Sequence, residues 1–238
     1  MLPSFSAALT TQRILAPAAT LDDVESKPPA DDATLATPVE FAGPGKVILR
    51  GQRFGAGDRW AVLVHRVGSD LDGWRQLATW LSGRGLAVLA FDLPGHGASD
   101  DDWDPKDAIA AVAAGVDFAR SQGARQVHLI GEGVGALAAL GVAAGRSSDV
   151  VSVAALSPQA DDRVATVGDV REARVPKLIV VGSLGRANDE FAEVVFRSAI
   201  GPCEMARFPV AAQGTDLIQG AWGPQVREKL LAHILRQG

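Results

Sequence analysis

From Val39 onward, short runs of consecutive apolar residues alternate with longer stretches whose apolar positions recur every three or four residues. A strand buried on both faces needs the first pattern, and a helix with one buried stripe needs the second. The runs WAVLVH (60–65), LAVLAFD (86–92), QVHLIG (126–131), VVSVAAL (150–156), KLIVVGS (177–183) and CEMARFP (203–209) predict strands. LDGWRQLATWLSGRG has apolar residues at 71, 74, 77, 80 and 81 and stops at Gly83 and Gly85, which predicts a helix with glycine stops. Further helices are expected over 107–123, 135–145, 189–199 and 224–237, with Asp189 and Glu190 capping the third of these. KVILRGQRF forms a strand that pairs with VEF through the turn Gly43-Pro44-Gly45. Repeated strand–helix alternation gives an α/β fold: a mostly parallel central sheet with helices on both faces, joined by right-handed crossovers.

Residues 1–38 do not share this pattern. They are rich in Ala, Pro, Asp and Thr, and ESKPPADDATLATP reads as an extended or disordered linker. A short helix over 11–15 is compatible with the sequence. The expected organisation is a flexible arm over 1–38, solvated or docked on a partner, and one domain over 39–238. A chain of 238 residues with 47% hydrophobic residues can build such a core. The net charge of -5 argues against nucleic acid or an anionic membrane as the main partner. One cysteine, Cys203, makes neither an internal disulfide nor a cysteine-rich metal site. It reads as a small hydrophobe beside a strand. No run approaches the roughly 20 apolar residues of a membrane span, and the N-terminus is a poor signal peptide. The cytoplasm is the default compartment; no cofactor and no metal are expected.

In an open parallel sheet, ligands bind beyond the C-terminal strand ends, so the chemistry is sought there. Gly131-Glu132-Gly133-Val134-Gly135 lies between a predicted strand and a predicted helix. Small residues at this spacing suit a sharp strand-to-helix turn whose centre has φ above zero. A dinucleotide phosphate loop is the rival reading, with Ala136 in the third glycine position. It lacks an acidic residue closing a following short strand about 20 residues on.

Together with FDLPGHGASD after the preceding strand and AAQGTDLIQG before the last helix, this stretch resembles the α/β-hydrolase superfamily, in its bacterial dienelactone-hydrolase and esterase-like branch. The resemblance covers roughly 39–238. It implies an α/β-hydrolase-like three-layer sandwich, and the roughly twenty residues between the strands at 150–156 and 177–183 leave no room for a large lid. Asp92, Gly95, Gly97 and Ser99 match a structural turn of the family, with His96 as a turn residue. Its His-Gly oxyanion segment appears as His65-Arg66, followed by Val67, which sets a bulky cation over the site.

The resemblance also assigns three catalytic slots. The nucleophile slot is Gly133, the acid slot is Gly185 (or Arg186 with a one-residue shift), and the histidine slot is Gln213. A serine–histidine–acid mechanism needs a nucleophile, a base and an orienting acid, and none of these residues supplies one. The expected function is therefore that of a catalytically inactive homologue, a binding, scaffold or accessory subunit, with a protein partner at the arm or crevice. Two alternatives remain open. One is non-triad chemistry on a small ester- or carbonyl-containing substrate with Glu132 as displaced acid or base. The other is a small-molecule sensor or carrier. The crevice is expected to be lined by Arg66, Val67, Val134, Ser157 and Ser183. Of the five tryptophans, Trp103 in its acidic loop is the most exposed candidate for contact with a ligand.

Overall fold

The computed structural model describes residues 36–100 and 103–237. Strands β1 (Thr37–Ala42), β2 (Ile48–Phe54), β3 (Arg59–Val64) and β4 (Ala87–Phe91) precede β5 (Gln126–Glu132), β6 (Ser152–Leu156), β7 (Lys177–Gly182) and β8 (Cys203–Phe208). Helices are α1 (Arg75–Ser82), α2 (Ala108–Ser121), α3 (Val134–Gly145), α4 (Val167–Val170), α5 (Arg186–Ser198), α6 (Thr215–Gln219) and α7 (Gly223–Leu235). The eight strands form one sheet in the order β1-β2-β4-β3-β5-β6-β7-β8. β1–β2 and β2–β4 are antiparallel, and every other pairing is parallel.

The continuous apolar runs work because both faces of the sheet are covered. Trp60, Val62 and Val64 of β3 join Leu89 and Phe91 of β4 in one core, under α2, α3 and α5. Ala61 and Leu63 point the other way, with Val88 and Ala90, into a second core under α1 and α7. Successive residues therefore enter opposite cores, as a pleated strand requires. Both cores exclude water: Trp60, Val62, Leu63 and Phe91 are all 0% exposed. Residues 157–176, between β6 and β7, carry only the one-turn helix α4, held by a capping box of Thr166 and Asp169. Among the described residues there is no large lid.

Several local expectations are corrected. β1 begins at Thr37, so 37 and 38 belong to the sheet rather than to the arm; Arg53 pairs opposite Thr37. The rest of the expected arm, including the helix at 11–15, lies outside the described residues apart from Ala36. α5 starts at Arg186, so Asp189 and Glu190 lie inside it and do not cap it. The Asp189 carboxylate instead accepts from Arg207 Nε of β8 at 2.8 Å. Gly-Thr-Asp-Leu, read as a loop, opens the short helix α6. Trp103 is half-buried, with its ring edge-on to His96 at 5.0 Å. Among the described residues, no helix is long and apolar enough to cross a membrane.

Candidate functional site

The turn between β5 and α3 is built by close approach. A Cβ at Gly135 would sit 2.7 Å from the carbonyl oxygen of Val64, and one at Gly131 would sit 2.5 Å from that of Gly135. Real Cβ atoms do not come this close to backbone, so β3, β5 and α3 can cross here only without side chains. Gly133 between them has φ 56 and ψ -121, a conformation that costs an L-residue on the order of 1–3 kcal/mol. The elbow path is therefore intact, with hydrogen in place of a side chain at its apex.

Glu132 precedes the apex and is 0% exposed. Its Oε2 accepts from the Thr215 amide at 2.7 Å, and its Oε1 accepts weakly from the Arg66 amide at 3.5 Å. The Arg66 guanidinium stands 3.7 Å from the same carboxylate. Burial pushes the Glu132 pKa above the ordinary carboxylate value; the Thr215 amide and Arg66 oppose that shift. Ser157, after β6, holds the same segment from a second side, because its Oγ accepts from the Gly214 amide at 3.0 Å. It does so from a left-handed backbone, φ 45, that non-glycine residues rarely adopt. Gln213 Nε2 donates to the Gly182 carbonyl at 3.0 Å. Three side chains thus anchor residues 213–215 to the ends of β5, β6 and β7.

Gly214 is the tightest point of this lock. Its φ is 53, and a Cβ there would overlap Glu132 Oε2. Gly214→Ala is expected to cost about 2 kcal/mol, from backbone strain plus the displaced carboxylate. Urea unfolding followed by tryptophan fluorescence checks this; a midpoint equal to that of the parent would contradict the lock.

A cavity of about 170 Å³ opens at the elbow, lined by Arg66, Glu132, Gly133, Ser157, Gln159, Asn188, Gln213, Gly214 and Asp216. Gly133 and Gln213 thus share one cavity. Gly185, the N-cap of α5, lies against Gln213, and a Cβ there would overlap Nε2 of that side chain. Three residues assigned to the crevice from sequence are not in its wall. Val67 is 41% exposed outside it, Val134 is 5% exposed and packs into the first core, and Ser183 Oγ donates to the Phe208 carbonyl. Gln159, Asn188 and Asp216 were missed. Gln159 and Asn188 follow strand ends, which is the signal that would have found them.

Both ring nitrogens of His65 are committed to the backbone. Its Nε2 accepts from the Leu93 amide at 2.9 Å, so Nδ1 carries the proton and donates to the Arg66 carbonyl at 2.7 Å. Burial lowers its pKa to about 4. Asp92 is equally committed, accepting from the amides of Leu71 and Ala98. Among the described residues, no group of three or more His, Cys, Asp or Glu side chains is placed to hold a metal ion.

The sequence profile of the alpha/beta hydrolase family matches residues 61–233. The chain belongs to this family. Among solved alpha/beta hydrolases, an esterase of Pyrococcus furiosus superposes with a TM-score of 0.71 at 17% identity, over 86% of this chain and 92% of its own. The alpha/beta hydrolase GrgF from a Penicillium species gives 0.74 at 14% identity, over 85% of this chain and 99% of its own. At these identities the likeness is one of fold. A curated relative from Cupriavidus necator, the dihydrolipoyllysine-residue acetyltransferase component of an acetoin cleaving system, is 32% identical over 158 residues. That match takes in 61% of this chain and 41% of the relative, so the chain spans about two fifths of its length.

Proposed function

We propose that this hydrolase-family domain is catalytically silent and serves as a binding or accessory subunit. One observation carries the reading. Gly133 has no nucleophile, and a Cβ built there would lie 2.9 Å from Cβ of Arg66. Arg66 therefore fills the space that a nucleophilic side chain would need. Gln213, in the histidine slot, donates to a backbone carbonyl and cannot act as a base at neutral pH. The curated relative is a component of an acetoin cleaving system, which is compatible with an accessory place.

A serine-directed fluorophosphonate probe is expected to leave the purified protein unlabelled, and short-chain esters to turn over no faster than in buffer. Stoichiometric labelling of one serine would overturn the proposal. Native mass spectrometry of protein taken from its own cells is expected to show a protein partner rather than a bare chain.

The raised pKa of Glu132 on a polar cavity favours one second reading, acid–base chemistry without a covalent step. In that case Glu132→Gln abolishes an activity found by substrate screening.

A further inference from the structure

A groove of about 560 Å³ lies between α1, α6 and α7. Trp80 forms its apolar floor, with the Arg84 guanidinium 3.7 Å and that of Arg227 6.0 Å from its ring centroid. Arg75 and Thr79 stand in its wall. Asp72, bonded to Arg75 at 2.8 Å, is the one acid lining the groove among the described residues. Arg75 and Arg227 line the groove and Arg84 covers the Trp80 ring, so against the carboxylate of Asp72 this is a positive, aromatic trough. No part of the elbow cavity is shared with it.

We propose that residues 21–25 of this chain, Leu-Asp-Asp-Val-Glu, dock in this trough. Asp22, Asp23 and Glu25 oppose the surplus arginines, while Leu21 and Val24 supply apolar surface for Trp80. The chain enters the domain close by. Ala36 packs on the same core as Trp80. Thr37 pairs with Arg53, and a Cβ at Gly55, two residues on, would lie 2.9 Å from Cβ of Ser82 on α1. Summing one strand pair, two extended residues, that contact and half a helical turn gives about 20 Å from Ala36 to Trp80. The stretch 26–36 reaches up to about 36 Å when extended. The segment therefore arrives with slack, and tethering raises its effective concentration at the trough.

The test places p-benzoylphenylalanine at Thr79, and separately at exposed Gln76, in the full chain at low concentration. Irradiation is expected to link each position to residues 21–25 of the same molecule, as mapped by peptide mass spectrometry. The charge-reversed arm D22K/D23K/E25K is expected to lose about tenfold of this product, as attraction to the two arginines not paired with Asp72 turns into repulsion, and high salt to reduce it likewise. Links confined to other segments, links joining two copies, or no link in proteins that melt like the parent would each overturn the proposal. So would a charge-reversed arm that links as well as the parent.

Discussion

Lowering the pH from 6.5 to 4 is expected to remove on the order of 5 kcal/mol of folding stability, because three histidines are buried in the neutral form. Burial lowers the pKa of His65 to about 4, of His128 to about 3 and of His233 to about 4. Arg59 adds to the effect at His128, and Arg236 at His233. An unfolded histidine titrates near 6.5. The unfolded chain therefore binds protons first as the pH falls, and stability present above about 6.5 is lost progressively toward 4 and below. Two carboxylates work in the opposite direction. Burial raises Asp92 and Glu132, so their protonation favours the folded state and offsets part of the loss. Three depressed bases outweigh two raised acids in this window. Below about 4, the acids held low by arginine and lysine partners, among them Asp161, Glu193 and Glu204, add to the loss. Urea unfolding at a series of pH values checks this. Equal stability at 6.5 and 4.5 would refute the account.

Lys177→Met is expected to destabilise the protein by about 3 kcal/mol. Lys177 is 2% exposed at the start of β7, in a strand otherwise made of apolar residues and a glycine. Its Nζ donates to the carbonyls of Ala173, Val175 and Ile200 at 2.5, 2.9 and 2.8 Å. One ammonium group thus ties the loop before β7 to the loop before β8. Methionine matches the stem but leaves three inward carbonyls without this donor. Each unsatisfied group costs roughly 1–3 kcal/mol, and relief from burying a charge returns part of that. Burial lowers the lysine pKa, so the ammonium form rests on these carbonyls. The urea midpoint should fall with an unchanged slope. A loss below about 0.5 kcal/mol would place Lys177 among neutral surface changes instead.

Lys177 also marks where reading the sequence stops. KLIVVGS is legible as a strand because its apolar run has the right length. Nothing in the run says that its lysine points inward, since the three carbonyls that receive it come from two separate loops. The candidate site divides similarly. Gly131, Gly133 and Gly135 can be read from spacing, because close approach of a strand and a helix demands small residues at fixed intervals. Gln159 and Asn188 were not found: each lies a few residues past a strand end, Asn188 already within α5, and only the fold sets which of these side chains reach the crevice. Ser183 was placed in the crevice by its position at a strand end, yet its hydroxyl turns to the Phe208 carbonyl on the neighbouring strand. Asp189 read as a helix cap because it precedes an apolar stripe, but α5 had already begun at Arg186 and Arg207 takes the carboxylate.

The sequence by itself determined the alternation of strands and helices, the parallel sheet, the absence of a large lid and the path of the elbow. These follow from local rules: hydrophobic period, glycine at crowded turns and segment length. Only the tertiary structure decided that Glu132, Ser157 and Gln213 converge on one short segment, and that Arg66 stands over Gly133. Those contacts join residues far apart in the chain, such as Glu132 and Thr215, and no local pattern encodes them. They exist because β5, β6 and β7 end side by side, which sets the side chains at their ends within hydrogen-bonding reach.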